Sequence, residues 1–289
     1  MDTDTSGSST SHRFEAPRPA IESAIQRLKI RGNVAPDAIF NANAPEGLRR
    51  EIAYHDEDFL RYLGNSEPNI EIEIVKSAVS FLSEHGLCNR AFAVDEDRFI
   101  AFRKLIRENF SGGWTSLTPV MERLYYTLTA IRRPFRMVEF GSYWGNTLAW
   151  FAGPALGTDR LYKAQSIVGI DIDAAAVDMA IRNFRKIGAK DDVTLISADA
   201  LEVAAEICGP IDYLYLEAKE EGVPPIYLEL LQAVYDKLPD GAWVIAHDIY
   251  DKDSIQELRP YVNWVRDPAH FKASFAFDVD YCGAELSVK

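Results

Sequence analysis

The stretch Met137-Val138-Glu139-Phe140-Gly141-Ser142-Tyr143-Trp144-Gly145-Asn146-Thr147 decides the fold. It is an apolar strand running into a glycine-bearing loop and then a helix. Gly141 permits a sharp turn or a close approach of a ligand to the backbone, and Gly145 lets the next helix pack near the strand. Outward from this segment, short apolar runs alternate with helical patterns: Arg136 to Phe140, Ser166 to Ile170, Val193 to Ile196, Ile211 to Leu216 and Ala242 to Ala246. Strands alternating with helices predict a parallel sheet. The clearest intervening helix starts near Asp173, carries Val177, Ala180, Ile181, Phe184 and Ile187 on one face and closes at Gly188. Another follows Pro225, with Tyr227, Leu230, Leu231, Val234 and Leu238 at helical spacing. Two closing runs, Ala273 to Val279 and Ala284 to Val288, are near enough for an antiparallel hairpin edge. The expected fold class is therefore α/β, a doubly wound, seven-stranded Rossmann-like sheet.

Ahead of the first strand, Thr118-Pro119 reads as the start of a helix, threonine as N-cap and proline at the first helical position, with Leu124, Leu128 and Ile131 turned inward. The first half of the chain offers helical periodicities without clear strands, such as Phe99, Phe102, Leu105 and Ile106, broken by turn-formers at Gly32-Asn33, Gly64-Asn65 and Gly112-Gly113. Between Asn69 and Gly86, Ile70, Ile72 and Ile74 alternate like a strand, but Ile74, Val75, Ala78 and Leu82 follow helical spacing and Gly86 suits a C-cap, so a helix is expected. Residues 1–20, rich in Ser, Thr and Asp, read as a disordered tail, 21–117 as a helical N-terminal or lid region, and 118–289 as the catalytic domain.

The 289 residues, 47% hydrophobic and 26% charged, suffice for one large core or one core with a small accessory domain. A formal charge of −13 repels a phosphate backbone, which argues against nucleic acid as substrate. Three cysteines, Cys88, Cys208 and Cys282, lie far apart without CxxC spacing, so neither a disulfide framework nor a zinc cage is expected. No apolar run has the length of a membrane span or the form of a signal peptide. These features together suggest a cytoplasmic protein without a membrane partner.

A glycine loop alone is weak evidence of a nucleotide pocket. It gains weight from the second strand, Ile167-Val168-Gly169-Ile170-Asp171, which ends in a carboxylate where a ribose would lie and where both ribose hydroxyls can donate to it. Helix N-capping is the plainer account of Asp171, but Asp173 fits that role better. The Gly-x-Gly-x-x-Gly order of an NAD-binding domain is absent.

With Glu139 in strand one, the Glu-x-Gly-x-x-x-Gly loop and Asp171, residues 115–289 resemble class I S-adenosylmethionine-dependent methyltransferases, especially the small-molecule O-methyltransferase branch. The order of parts agrees: the Thr-Pro helix, Ala198-Asp199-Ala200 after strand three, Leu214 to Glu217 at strand four and a closing strand from Gly283 to Lys289. The resemblance implies that Glu139 and the loop residues Gly141, Ser142, Tyr143, Gly145, Asn146 and Thr147 hold the methionine portion of S-adenosylmethionine. It also places Asp171 at the ribose and Asp199 at the adenine edge.

Residues closing strands four and five, Glu217, His247 and Asp248, face the reacting sulfonium in such a sheet. Cation-dependent members of the family carry Asp, Asp and Asn at the matching positions, and Lys219 stands where another acid is often found. No metal is therefore expected, although Glu217, His247 and Asp248 are all capable ligands for a divalent ion. Without a metal, His247 is the best general base, with Asp248 orienting it. Among the aromatic residues near the loop, Tyr143, Trp144 and Trp114 are candidates to close over a sulfonium, while Trp150 suits core packing. Residues 110–118 read equally as a flexible lid or a plain linker. The remaining histidines, His12, His55, His85 and His270, read as surface residues.

The expected function is methyl transfer from S-adenosylmethionine to an oxygen or nitrogen of a small molecule in specialised metabolism. One alternative is a cyclase of the azetidine-2-carboxylate synthase type, releasing methylthioadenosine; another is a non-catalytic S-adenosylmethionine sensor. A homodimer is compatible with every reading.

Overall fold

The computed structural model describes residues 68–88, 94–111, 117–219, 223–249, 255–277 and 283–289. The expected tail, the turns at Gly32-Asn33, Gly64-Asn65 and Gly112-Gly113, Trp114, His12, His55 and Cys282 lie outside the described residues. Among the described residues three helices come first: α1 (Pro68–Glu84), α2 (Glu96–Asn109) and α3 (Pro119–Arg132). There follow β1 (Arg136–Phe140), α4 (Asn146–Ala152), β2 (Ser166–Asp171), α5 (Ala174–Lys186), β3 (Thr194–Ser197) and α6 (Ala200–Glu206). The chain ends with β4 (Tyr213–Leu216), α7 (Tyr227–Val234), β5 (Trp243–His247), α8 (Arg259–Val265), β6 (Ala273–Phe277) and β7 (Ala284–Val288).

The strands form one seven-stranded sheet in the order β3-β2-β1-β4-β5-β7-β6. β1 to β5 run parallel, and β7 lies antiparallel between β5 and β6. Successive strands β1, β2 and β3 step outward in one direction, while β4 starts on the other side of β1. The order therefore reverses between β1 and β4, and a crevice opens at their carboxyl ends.

Alternation along each strand divides two cores between the two faces. Met137, Tyr213, Tyr215, Trp243 and Ile245 pack into one cluster; Val138, Phe140, Leu214, Leu216, Val244 and Ala246 belong to the other. By the same parity, Glu139, Glu217 and His247 share the Tyr215 face.

Thr118 Oγ1 accepts from Met121 N at 3.3 Å and Pro119 occupies the first turn of α3, as the sequence requires. The inward set proves wider than Leu124, Leu128 and Ile131, because every residue from Val120 to Ile131 is buried. The cause is tertiary: α3 is covered on its outer side by residues of α1 and α2, including Val75, Leu82, Phe99 and Ile106, which join the core cluster of the sheet. Arg123, 1% exposed, reaches Glu96 at 2.5 Å and stacks its guanidinium over Phe99, while Arg103 and Arg107 both engage Glu122. Of the predicted α2 face, Phe99 and Ile106 are buried, whereas Leu105 is exposed.

Asp173 caps α5, its Oδ1 accepting from Ala175 N at 2.8 Å and Ala176 N at 3.2 Å. At the antiparallel edge, Glu285 is fully buried and held by both arms of Arg266 at 2.8 and 2.7 Å. His85 meets the Phe275 ring edge-on, and His270 stacks on Trp264.

Candidate active site at the carboxyl ends of strands one, two, four and five

A cleft of about 680 Å³ lies at the reversal of strand order. Its wall contains Gly141, Ser142, Tyr143, Asn146, Thr147, Asp171, Asp199, Glu217 and Asp248, nine of the residues singled out in the sequence. Glu139, Gly145 and His247 are not on the wall. Residues to which the sequence reading gave no part in binding also line it: Ile170, Ile172, Asp173, Val223, Pro224 and Ile226. Those after Gly222 carry no motif, and only the fold brings them to the crevice.

The loop after β1 is held by β2 and β4. Gly141 N and Ser142 N both donate to Ile170 O, at 2.8 and 3.0 Å. Gly141 has φ +87°, and a Cβ there would stand 2.4 Å from Glu217 O, so the loop crosses β4 at a distance that excludes any side chain. Gly145, at φ +78°, serves a partner other than the expected strand: its Cβ would meet Phe184 Cε2 of α5 at 2.7 Å. Tyr143 adopts φ +42° and stacks on Trp144 at 4.6 Å. This strained turn is pinned by Asp171, whose Oδ2 accepts from Tyr143 N at 2.7 Å. The other oxygen, Oδ1, accepts from Asp173 N at 2.9 Å. Each oxygen keeps a lone pair for a hydroxyl donor from the cleft. Asp199 caps α6 through Leu201 N at 2.7 Å and also faces the cleft. Trp150 is fully buried in the core, in accordance with packing.

Beneath the loop sits Glu139, fully buried, with neither carboxylate oxygen hydrogen-bonded among the described residues. Burial first, then the charges of Glu217 and Asp171, hold its carboxyl well above the usual glutamate range. A buried carboxylate flanked by two others is a site for a cation that also donates hydrogen bonds. Ser142 Oγ is likewise buried without a partner. These orphaned groups, with the backbone cradle of Gly141, fit the ammonium and carboxylate of an amino-acid moiety, while Asp171 and Asp199 fit a ribose and a base.

At the ends of β4 and β5, Thr147 Oγ1 donates to Glu217 Oε2 at 3.2 Å. His247, fully buried, places Nδ1 3.4 Å from Glu217 Oε1 and 3.3 Å from Asp248 Oδ1. The imidazole thus stands behind two carboxylates, and Asp248, at φ +62°, presents itself to the cleft in front of it. Asp248 Oδ2 lies 3.6 Å from Lys219 Nζ, which is on the same wall.

Fold and cleft together define an α/β protein with a cleft at its topological switch point, the place where sheets of this kind bind their ligands. Residues 138–249 match a protein-family model described as a methyltransferase domain. The O-methyltransferase hkm8 of Aspergillus hancockii is 34% identical over 90 residues, which make up 31% of this chain and 33% of that protein. The match therefore spans about a third of the length of this curated relative. Among solved structures, the Bacillus cereus O-methyltransferase in complex with SAH superposes with a TM-score of 0.51 at 14% identity, covering 73% of this chain and 97% of that one. The Streptomyces achromogenes O-methyltransferase TomG, in complex with SAM, gives a TM-score of 0.50 at 18% identity over 73% and 94% of the two chains. At such identities the superpositions show a shared fold. Residues 138–249 thus carry the pattern of a methyltransferase domain, set in a fold that this chain shares with those two O-methyltransferases.

Proposed function

We propose that this protein transfers a methyl group from S-adenosylmethionine to an oxygen of a small-molecule acceptor. The observation that carries this reading is Glu139: a buried carboxylate with two unpartnered oxygens, set under a glycine loop and beside the ribose-competent Asp171. A non-catalytic turn has no use for so costly a group.

In this reading Glu139 accepts from the ammonium of the methionine arm, Ser142 and the loop from Gly141 to Thr147 hold its carboxylate end, Asp171 takes the ribose and Asp199 the adenine. The bound cofactor supplies an electrophilic methyl carbon on a sulfonium. Glu217 holds Thr147 and adds negative charge beside that cation. The acceptor lies on the side of Val223, Pro224, Ile226 and Asp248, where an apolar wall excludes water and fixes the oxygen for in-line attack. Asp248, on the wall, takes the acceptor's proton, and His247 acts from behind by holding the Asp248 carboxylate in place. This reverses the roles that residue chemistry alone suggests for the pair, since a fully buried imidazole has no path to the acceptor. The covering helices α1 and α2 belong to the same core cluster as one face of the sheet. Among the described residues no helix is long and apolar enough to cross a membrane.

The test is incubation of the purified protein with S-adenosylmethionine, alone and with a fractionated small-metabolite extract, followed by mass spectrometry of the adenosine product. S-adenosylhomocysteine formed only with extract, together with a product heavier by one CH₂, supports the proposal. Methylthioadenosine formed from the cofactor alone refutes it in favour of cyclisation, and stoichiometric binding without turnover in any extract refutes it in favour of a sensor.

A further inference from the structure

Among the described residues, five carboxylates line the cleft wall, Asp171, Asp173, Asp199, Glu217 and Asp248, against a single basic residue, Lys219. At the acceptor end the imbalance is sharpest. One ligating atom each from Glu217, His247 and Asp248 falls within 4.8 Å of the others, a spacing that suits a divalent cation. Yet the Lys219 ammonium already sits 3.6 Å from Asp248 Oδ2. The opposite oxygen of the same carboxylate faces His247 Nδ1 at 3.3 Å, so Asp248 is held from both sides and its strained backbone is fixed between two nitrogens. Lys219 follows β4 by three residues, and its stem is covered enough to leave the side chain only 26% exposed. It is therefore positioned at the wall rather than trailing in solvent.

We propose that Lys219 is the resident cation of this cleft: its ammonium, held against Asp248, takes the charge position that a divalent ion would otherwise occupy beside Glu217, His247 and Asp248, and it presents that charge to the acceptor oxygen. A point charge on a flexible stem suits this task, because an ammonium donates to a single oxygen without demanding a fixed coordination geometry. It also raises the cost of bringing a second cation to Asp248, since the two positive charges would stand within a few ångströms in a partly desolvated site. The statement about the acceptor oxygen rests on the methyl-transfer reading; the statement about the cation does not.

The experiment is a titration of the full-length protein with Mn²⁺ alone, following the free ion by electron paramagnetic resonance. Wild type, K219A, K219D and the double variant K219D/D248N are compared, with circular dichroism as the fold control and calorimetry with S-adenosylmethionine on the same samples. Wild type is expected to bind Mn²⁺ no better than the double variant. Removal of the ammonium in K219A, and its replacement by an acid in K219D, should tighten binding by at least about tenfold, the effect of one charge at this distance. The gain should vanish in K219D/D248N, which locates it at this cluster rather than elsewhere on an acidic surface. Tight binding to wild type, equal binding to wild type and both single variants, or a gain that survives D248N would each overturn the proposal. Failure of wild type to bind S-adenosylmethionine would instead count against the methyl-transfer reading and leave the Mn²⁺ comparison intact.

Discussion

Replacing Glu139 by glutamine should separate binding from stability in opposite directions. The side chain is fully buried, carries two unpartnered oxygens and feels the charges of Glu217 and Asp171. In the proposed complex its carboxylate faces an ammonium. Removing one member of such a buried pair costs about 3–5 kcal/mol, or about two to three and a half orders of magnitude in Kd. Glutamine retains an acceptor oxygen, so the lower end is expected. In the free protein the change works the other way. An acid whose folded pKa is raised stays protonated after the unfolded chain has ionised near pH ~4.3, so the fold loses stability as pH rises from there towards the raised value. Wild type should show this decline and Glu139→Gln should not, leaving the variant more stable than wild type at pH 8 by about 1 kcal/mol and higher in Tm by roughly 2–4 °C. Titration calorimetry and thermal unfolding, both run from pH 5 to 8, test the pair of effects. Binding to wild type should strengthen with pH and release a proton, detected by repeating the calorimetry in buffers of different ionisation heat. A variant that binds normally, or whose Tm falls by several degrees in parallel with binding, would show that Glu139 is a structural carboxylate and sink the reasoning.

Three other perturbations probe neighbouring parts. Gly141→Ala should abolish cofactor binding, because its Cβ would stand 2.4 Å from the backbone of Glu217; Gly157→Ala, at a similar positive φ but with no atom within 4 Å, should cost only about 1 kcal/mol and leave binding within twofold. Equal losses in the two variants would refute the argument from close approach. Asp171→Ala removes the acceptors of Tyr143 N and Asp173 N along with the ribose contact, so urea unfolding should show a loss of about 1–3 kcal/mol and calorimetry a Kd at least about tenfold weaker. Arg266→Met strands the fully buried Glu285, and a destabilisation of about 3–5 kcal/mol is expected in urea, with cofactor affinity of the remaining folded protein unchanged.

The strand-loop-helix at residues 136–147 was legible because its signals are local: an apolar run, two glycines that both take positive φ and a carboxylate closing the next strand. β1 and β7 begin and end where the sequence pattern puts them, and Thr118-Pro119 and Asp173 start their helices as capping chemistry demands. The short helices Ala200–Glu206 and Arg259–Val265 lacked such a signal, since seven residues span only two turns and leave little periodicity to read.

Local sequence signals thus sufficed for the layered α/β class, the strand-loop-helix that borders the cleft and nine of the residues on the cleft wall. Tertiary structure alone decided three things: that β7 inserts between β5 and β6, that Gly145 serves α5 rather than its own strand, and that His247 stands behind Asp248 instead of facing the cleft. The physical reason is common to all three. Local propensity fixes which residues form a strand or a turn, but which side chain reaches the cavity depends on register between segments far apart in sequence. Strand alternation put His247 on the Tyr215 face, where it is fully buried beside Glu217 and Asp248.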